Sequence, residues 1–569
     1  MKFIKFVSYL EDLEKISSRL AITDLLAKLV KEFRDEEADK GVYLILGMLG
    51  PSFANTEFNM AVKMVIRSVS LGSGREIDAI EKEYKKRGDL GELMMTEKFT
   101  KEKPVEYSIT EIYDRLKIIA QEGGEGSQEK KVLSLSDLLR SVSQLERKYI
   151  VRIILGKLRL GFSEKTIFDA LSMVESGNKT LRKELDLIFQ IYPDAGLITR
   201  VFKEKGLAGL KQISVKTGVP VVPALCQRLN EYSEIIHKMN DVGVERKYDG
   251  TRVQIHFDRK ANLLKTYTRN LEENSGMFPE LKEMASWVKA DKLILDCEAV
   301  GYDKKTNKVL PFQMTITRKR KHGVEETAKS VPLRFFVFDI LSVDGNSLIE
   351  LPYFKRREKL TEVIKKNETL VVDEFKRVDE PKEVQALHDQ YLKEGFEGAV
   401  IKKWDGEYLP GRQGWNWVKI KEAEGTEGKL ADTLDLVIMG YYYGRGKRSS
   451  FGMGAFLVGI KKDEHWISVA KIGTGLTDEE FKGLKERLEA KVLMSKPKDY
   501  FVEGNLICDV WVEPEVVVEI AADEVTKSPS HAGGLALRFP RLIKFRDDKK
   551  ADQSTSWKEL LTIAKLSKV

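Results

Sequence analysis

One short stretch of the chain, residues 245–256, combines residue types that could perform covalent chemistry. It reads Glu-Arg-Lys-Tyr-Asp-Gly-Thr-Arg-Val-Gln-Ile-His, which places Lys247 two residues after Glu245, beside an Asp-Gly turn signal and close to Arg252. Polar and apolar residues alternate after the turn, which predicts a half-buried strand. A lysine in this setting is either a covalent nucleophile or a partner in an ordinary surface ion pair. The pattern Lys-x-Asp-Gly also arises by chance, so the rest of the chain has to decide.

Two further segments carry carboxylates where a cation could bind. Asp296 and Glu298 are two residues apart in an apolar run, so a strand would present both on one face. Two like charges on one face repel unless a cation or a hydroxyl group accompanies them. Glu397 precedes a glycine at the start of another apolar run, a position suited to a divalent metal or to its bound water. A solvated sheet face and a surface turn are the respective alternatives.

An aromatic run and a lysine pair follow the same pattern of alternation. Residues 335–339 predict a strand whose rings mostly pack in a core, although one ring could stack on a purine. Lys419 and Lys421 share one face of a predicted strand, while the residues between them face a core. The two lysines repel each other without an anion, so a phosphate ligand would explain them, as would a solvent-facing strand.

Basic residues are concentrated in two other segments. Residues 537–549 interleave cations with apolar side chains, which anchors the segment while several charged groups share one side, as phosphate recognition requires. The run at 318–321 is contiguous and predicts a loop that makes general nucleic-acid contacts.

The composition is that of a globular protein. The 569 residues, of which 42% are hydrophobic and 33% charged, leave room for about two to five domains. No apolar run reaches the roughly 18 residues of a membrane helix, and the N-terminal segment lacks the features of a signal peptide. Three dispersed cysteines argue against a disulfide framework and suit a cytoplasmic protein. The net charge of +7 restricts nucleic-acid affinity to local patches.

The first predicted domain, residues 1–215, is all-α. A helix is expected after the N-cap candidate Ser18, and a helical block is expected at 136–155. Glycine-rich breaks at 123–128 and 156–161 are either helix C-caps or loops that approach phosphates, with nearby basic side chains to neutralise them.

Two more domains are predicted after a Pro/Gly-marked linker at 217–223. Residues 216–424 alternate strands with helices in an α+β arrangement. Beyond a polar hinge at 422–428, residues 425–569 carry short strands and one strong helix, typical of an OB-fold barrel. The strands predicted in the middle domain are 251–258, 263–268, 293–300, 334–341, 398–403 and 416–421.

In this order, the motifs resemble those of the covalent nucleotidyltransferases. The resemblance rests on Lys247-Tyr-Asp-Gly-x-Arg252, the Asp-x-Glu ending at Glu298, the aromatic strand, Glu397-Gly, Lys419-x-Lys421 and the terminal Arg-Phe-Pro-Arg. It is strongest with ATP-dependent DNA ligases of the archaeal and eukaryotic replicative type, and it extends over essentially the whole chain. In that group the helical domain binds DNA, the middle domain carries out adenylation and the last domain is an OB fold.

The resemblance implies the sealing of nicked double-stranded DNA in replication, repair and recombination. Lys247 would take AMP from ATP, the AMP would pass to the 5′-phosphate at the nick, and the adjoining 3′-hydroxyl would displace it. Glu298 and Glu397 would hold Mg²⁺, or Mn²⁺ in its place.

The resemblance also implies a set of nucleotide-binding residues. Phe338 would pack on adenine, the two lysines would bind the α-phosphate, and the terminal basic residues would orient the pyrophosphate. This last role requires the third domain to close over ATP and later to swing away. The full set is Glu245 (through its backbone), Arg252, Arg269, Glu298, Phe338, Arg412, Lys419, Lys421, Arg538, Arg541 and Lys544.

One position departs from the family's pattern. The family commonly has an arginine six residues before the first lysine of Trp-x-Lys-x-Lys, and here that position is Gln413. Arg412 lies one residue earlier. Either Arg412 reaches the site from a shifted loop, or this contact is absent.

Partners and alternatives follow from the same resemblance. We expect a monomer without membrane contact, and the group implies a sliding clamp as a partner, although residues 98–110 contain no clamp-binding motif. An NAD-dependent ligase would carry a four-cysteine zinc site. An RNA ligase or a capping guanylyltransferase would lack the helical domain, and a catalytically silent DNA-binding or clamp-loading scaffold would have lost the lysine and the carboxylates.

Overall fold

A computed structural model describes most of the chain, which divides into two compact units, residues 1–422 and 423–569. The predicted hinge at 422–428, and all but the first residue of the basic run at 318–321, lie outside the described residues. No described helix is long and apolar enough to cross a membrane. The described residues are 1–99, 104–158, 160–229, 231–303, 305–306, 308–310, 314–315, 318, 324–421, 433–444, 448, 452–528 and 531–566.

The first unit begins with helices that pack around one apolar core. They form because apolar residues recur at intervals of three and four, so that each helix buries one face. Ser18 is confirmed as an N-cap, since its hydroxyl accepts a hydrogen bond from the Ala21 amide. The helices are α1 Phe3–Lys15, α2 Arg19–Glu32, α3 Ala38–Ile45, α4 Val62–Ser73, α5 Ile77–Arg87, α6 Leu90–Met94, α7 Ile109–Gln121, α8 Ser127–Arg140, α9 Gln144–Ile154, α10 Glu164–Ser176, α11 Arg182–Ile191 and α12 Ala195–Leu210.

The single helical block predicted at 136–155 is wrong, because α8 and α9 are separate helices. Ser143 starts α9 with a capping box. Its amide donates to the Glu146 carboxylate at 2.8 Å, and the Glu146 amide donates back to the Ser143 hydroxyl. The Ser-x-x-Glu signal was present in the sequence and marks the boundary.

Two sheets make up most of the remainder of the first unit. One has the order β1-β11-β10-β2-β9, and the other has the order β4-β3-β5-β6-β7 with β8 beside β6. Each of the six predicted strands agrees with an observed one to within two residues. The strands are β1 Gln227–Arg228, β2 Val242–Lys247, β3 Thr251–Asp258, β4 Leu263–Thr268, β5 Lys292–Gly301, β6 Leu333–Val343, β7 Asn346–Ser347, β8 Leu370–Val372, β9 Phe375–Val378, β10 Gly398–Lys403 and β11 Trp417–Lys421.

Helices cover these sheets and bury their apolar faces. Residues of β3, β5 and β6 pack in one core, and residues of β2, β10 and β11 pack in another. Among the described residues of this part, the helices are α13 Tyr232–Met239, α14 Met284–Trp287, α15 Val324–Ser330, α16 Tyr353–Val363 and α17 Pro381–Lys393.

The prediction that β3 is half-buried is wrong, because its polar face is buried as well. The segment predicted as a linker lies along that face. The Val221 amide donates to the Gln254 side chain at 2.8 Å, and the Gly218 amide donates to His256 Nδ1 at 3.0 Å. Burial lowers the pKa of His256 to about 3, so its ring is neutral and can accept this hydrogen bond. The segment is therefore an ordered strap between the helices and the sheets.

The second unit is rich in β-structure, as predicted for an OB-type domain. Its main sheet is largely antiparallel around an apolar core. The strong helix, α18 Asp478–Glu489, is shorter than the predicted 478–493, and α19 spans Trp557–Leu566. The strands are β12 Leu434–Tyr442, β13 Ala455–Lys462, β14 His465–Ile472, β15 Val492–Leu493, β16 Tyr500–Phe501, β17 Val510–Val512, β18 Val517–Ala521, β19 Glu524–Lys527, β20 Leu535–Arg538 and β21 Arg541–Phe545.

Candidate active site

A cavity of about 470 Å³ lies in the first unit, walled by residues of both sheets. It brings together side chains from distant parts of the sequence, because β2 and β3 are consecutive in the chain but belong to different sheets. Nine residues of the predicted site line this cavity: Glu245, Lys247, Arg252, Arg269, Glu298, Phe338, Glu397, Arg412 and Lys419.

Lys247 ends β2, and its ammonium group pairs with the Glu397 carboxylate. The other carboxylate oxygen of Glu397 pairs with Lys421. Burial by itself raises the pKa of Glu397, but the two lysines outweigh it and the net pKa is lowered. Glu397 is thus a carboxylate held between two cations.

Two glycines allow the backbone to bring these groups together. Gly398 has φ +144°, and a Cβ there would lie 2.2 Å from the Ile420 carbonyl oxygen. Gly250 lies in the connection between the two sheets, and a Cβ there would lie 2.6 Å from the Ala299 carbonyl oxygen. The Asp-Gly signal therefore marks a crossing from one sheet to the other, at a close approach of two backbones.

Arg252 and Asp296 form a buried bidentate ion pair. The guanidinium Nε and Nη2 lie 2.9 and 2.6 Å from the two Asp296 carboxylate oxygens. The Arg252 Nη1 donates to the Ala224 carbonyl at 2.6 Å, and the Tyr408 hydroxyl donates to Asp296 at 2.7 Å. Because Asp296 is fully buried, the alternative of a solvated sheet face is wrong for this residue.

Glu298 lies two residues further along β5 and lines the cavity. Burial is the largest influence on its carboxyl group and raises its pKa to about 7, while the positive charges of Lys247 and Arg252 act in the opposite direction. Mg²⁺ in proteins is usually held by one or two carboxylates together with substrate phosphates, and Glu298 could supply one such carboxylate.

The carboxylate of Glu245 is engaged inside the protein. It accepts a hydrogen bond from the Tyr353 hydroxyl at 2.5 Å and forms an ion pair with the Lys402 ammonium at 2.8 Å. Lys402 is only 1% exposed, yet it lines the cavity. Sequence reasoning missed Lys402, although it lies on the same strand as Glu397-Gly and only five residues further on.

One ring of the aromatic run, that of Phe338, lines the cavity. Phe338 packs edge-on against Trp417, with ring centroids 5.9 Å apart. Phe335 is in the core, and Phe336 stacks on Tyr248 at 4.2 Å. The Tyr248 hydroxyl donates to buried Asp373 at 2.9 Å, which fixes the residue that follows Lys247.

Three cations of the cavity have no ion-pair partner among the residues that the structure describes: Arg269, Arg412 and Lys419. Partial burial is the largest influence on Lys419 and lowers its pKa, and the charge of Lys421 adds to this effect. Gln413, at the family's arginine position, faces elsewhere and donates to the Gln190 side chain at 2.5 Å. Arg412 is therefore the arginine of this loop that lines the cavity.

The terminal basic residues lie in the second unit, where each has an acidic partner. Arg538 pairs with Glu524 at 2.6 Å, Arg541 with Asp523 at 3.1 Å and Lys544 with Glu519 at 3.3 Å. Phe539, in the turn between β20 and β21, has φ +49° and is largely exposed. A bulky residue in the left-handed region is strained, and such strain concentrates at functional sites.

The glycine-rich breaks of the helical region have mixed structural roles. Gly156 follows α9 with φ +62°, the geometry of a helix C-cap. Near the first break, the buried ammonium of Lys131 donates to the Phe58 carbonyl at 2.7 Å. Lys131 is therefore committed to the protein interior, whereas Lys130 is exposed. Arg159, in the second break, lies outside the described residues.

Comparisons with known proteins find matches over nearly the whole chain. Family models described as DNA ligase N terminus, ATP dependent DNA ligase domain and ATP dependent DNA ligase C terminal region match residues 2–172, 223–421 and 449–549. A probable DNA ligase of Dictyoglomus turgidum is 41% identical, over 99% of this chain and 97% of that protein. A DNA ligase of Sulfolobus acidocaldarius is 34% identical, with the same coverage of both chains. The solved structure Pmar-Lig_Pre covers 95% of this chain and 99% of its own, with a TM-score of 0.55 and 17% identity, a likeness of fold alone.

The fold and the cavity together define an adenylation domain that follows a helical region and precedes a β-rich domain. With full-length relatives at this level of identity, the chain belongs to the ATP-dependent DNA ligases, the family whose function is the sealing of nicks in DNA.

Proposed function

We propose that this protein seals nicks in double-stranded DNA during replication, repair and recombination, and that Lys247 carries AMP as a covalent intermediate. The observation that supports this most directly is the position of Lys247 in a cavity with cations, carboxylates and an aromatic ring. Each of these groups matches one part of ATP: phosphates, a phosphate-bound metal and the purine.

The proposed reaction has three displacements at phosphorus. The neutral Lys247 amine attacks the α-phosphate of ATP, the Nζ–P bond forms, and the bond to pyrophosphate breaks. The 5′-phosphate of the nick then attacks the lysyl-AMP and releases the lysine. Finally, the 3′-hydroxyl attacks the activated 5′-phosphate, and AMP leaves. The amine has to lose its proton first, because only the neutral amine has the lone pair that attacks phosphorus.

The surroundings of Lys247 support this first step. Arg269, Arg412 and Lys419 can bind phosphate oxygens without breaking an ion pair within the described protein. Lys421 would join them once phosphate competes with Glu397. Phe338 offers an aromatic face or edge for the adenine, beside the buried Glu245.

A divalent metal, Mg²⁺ or Mn²⁺, fits the residues present. The described residues contain no cluster of three or more side chains that could bind a metal. We therefore do not propose a site in which protein side chains alone hold the ion. Mg²⁺ typically uses one or two carboxylates together with substrate phosphates, and Glu298 and Glu397 line one cavity with Lys247. These two residues would hold the ion, which would neutralise phosphate charge during the displacement.

The remaining features are proposed on the same basis. Arg538, Arg541 and Lys544 would exchange their acidic partners for the pyrophosphate oxygens. The three cysteines are free thiols, which supports a cytoplasmic protein. We also infer a monomer, with a sliding clamp as an expected partner of the family.

The decisive test is incubation with α-labelled ATP and Mg²⁺ in the absence of DNA. We expect covalent label on the protein that pyrophosphate releases and that Lys247→Ala abolishes. The same protein should seal a nicked duplex. Label that came only from NAD or only from GTP would contradict the ATP assignment, and label retained in Lys247→Ala would contradict the assigned nucleophile.

A further inference from the structure

The loop that carries Arg412 is tied to the helical region by Gln190 of α11. The Gln413 Nε2 donates to the Gln190 side-chain oxygen at 2.5 Å and to the Pro410 carbonyl at 2.8 Å. The main-chain carbonyl of Gln190 accepts a hydrogen bond from the Val222 amide at 2.8 Å. One residue of the helical region therefore holds both this loop and the strap that precedes β1.

The loop and the strap are also bonded to each other. The Gly411 amide donates to the Pro223 carbonyl at 3.1 Å, and the Leu225 amide donates to the Gly411 carbonyl at 2.7 Å. Gly411 has φ +77°, so its backbone conformation is one that side-chain-bearing residues rarely adopt. These bonds hold the backbone just before Arg412, and the hydrogen bonds of Gln413 hold the backbone just after it.

Arg412 itself has no such restraint. Its side chain is exposed, lines the cavity, and has no hydrogen bond or ion pair with a described residue. The position of its guanidinium group is therefore set by the backbone on either side. Gln413 is at the position where the family has its arginine. Its contact with Gln190 directs the Gln413 side chain away from the cavity, and Arg412 is the residue that lines the cavity instead.

We propose that Gln190 is a positioning residue for Arg412, so that a side chain of the DNA-binding region contributes to nucleotide binding in the adenylation domain. The inference rests on the proposed function, because it takes Arg412 as a ligand of the ATP phosphates. It gives the helical region a second role, in the step that precedes DNA sealing. It also explains how the loop functions with its arginine one residue earlier than in the family's pattern.

The test measures the apparent KM for ATP and the maximal rate of lysine labelling, without DNA. Gln190→Leu keeps the side-chain size but removes the acceptor, and it should raise KM about threefold to tenfold, as expected for the loss of one hydrogen bond, with little change in the maximal rate. Gln190→Glu keeps an acceptor oxygen for Gln413, so its KM for ATP should stay close to that of the wild type. The matched control is Gln144→Leu, an exposed glutamine at the start of α9 in the same helical region.

A double-mutant comparison separates positioning from general stability. Arg412→Ala should raise KM more than Gln190→Leu does, and Gln190→Leu should add nothing in the Arg412→Ala background. A KM for Gln190→Leu equal to that of Gln144→Leu, or a full additional effect in the absence of Arg412, would overturn the inference. Wild-type protein that took no label from ATP would instead overturn the proposed function.

Discussion

At the scale of single residues, the predicted cations in and beside the cavity fall into two groups. Lys247 and Lys421 share Glu397, and Arg252 is committed to Asp296. Arg269, Arg412 and Lys419 have no ion-pair partner among the described residues. The second group can bind phosphate oxygens without breaking an ion pair to a described residue. The first group has to give up its carboxylate partner to do so. We therefore expect nucleotide binding to break an ion pair of Glu397.

Phe338 provides a prediction at this scale. Phe338→Leu removes the aromatic ring that lines the cavity while keeping an apolar side chain. Stacking on a base is worth about 1–3 kcal/mol, so KM for ATP in lysine labelling should rise by roughly fivefold to a hundredfold. Phe354→Leu is the control, because Phe354 is a half-buried ring that stacks on Trp404 and does not line the cavity. Equal KM values for the two variants would show that Phe338 does not contact the base.

At the scale of elements, Gly398 allows the backbones of β10 and β11 to approach closely where β10 begins. Gly398→Ala would place a methyl group against the Ile420 carbonyl and would demand a left-handed φ from alanine. We expect a loss of unfolding free energy of about 1–3 kcal/mol or more, and a loss of lysine labelling because Glu397 shifts with the strand. Thermal unfolding measured beside labelling checks both effects.

The control for this variant is Gly276→Ala. Gly276 has open space around the position of a Cβ and no left-handed φ, so its substitution should change stability by less than about 0.5 kcal/mol. If Gly398→Ala were as stable and as active as this control, β10 would have to tolerate a different register from the one observed.

The helical region contains a buried ion cluster that predicts a pH dependence. Glu14 accepts hydrogen bonds from Arg152 at 2.8 Å and from the Tyr149 hydroxyl at 2.9 Å. Burial alone would raise the pKa of Glu14, but Arg152 and Lys148 outweigh it and lower the pKa from 4.5 to about 2. A group whose pKa is lowered by folding stabilises the protein above its unfolded-state pKa and loses that contribution as the pH falls.

We therefore expect helical stability to fall as the pH is lowered from about 4.5 toward 2, as followed by circular dichroism during thermal unfolding. Glu14→Gln should be less stable at neutral pH and should show a weaker dependence on pH in this window. Glu106→Gln is the control, since Glu106 pairs with Lys2 on the surface. An identical pH profile in wild type and Glu14→Gln would exclude Glu14 as the titrating group.

At the scale of the whole molecule, we expect the terminal arginines to act in lysine labelling alone, because this is the step in which pyrophosphate leaves. Arg541→Ala should slow lysine labelling by roughly a hundredfold, the usual cost of removing one group that stabilises a developing charge. Sealing of a nick that already carries AMP on its 5′-phosphate should change far less, because no pyrophosphate leaves in that step.

The matched control for Arg541 is Arg487→Ala, an arginine of the same unit that pairs with Asp547 on the surface. It should leave both reactions near the wild-type rate. If Arg541→Ala slowed both reactions equally, the arginine would act in DNA binding or folding and not in the orientation of pyrophosphate.

The sequence by itself determined the chemical groups, their order and six of the eleven described strands of the first unit. Residues 251–258, 263–268 and 398–403 were predicted as strands with the observed bounds, because alternation of polar and apolar residues is a local signal. The lysine, the carboxylates and the aromatic run were identified from residue types and spacing, which need no knowledge of the fold.

Only the tertiary structure decided which side chains pair. The sharing of Glu397 by Lys247 and Lys421 depends on the alignment of β2, β10 and β11. The burial of both faces of β3 depends on a strap more than thirty residues away in sequence, and the orientation of Gln413 depends on α11. Such pairings are set by strand register and by packing between distant segments, and no local pattern of residues encodes either of them.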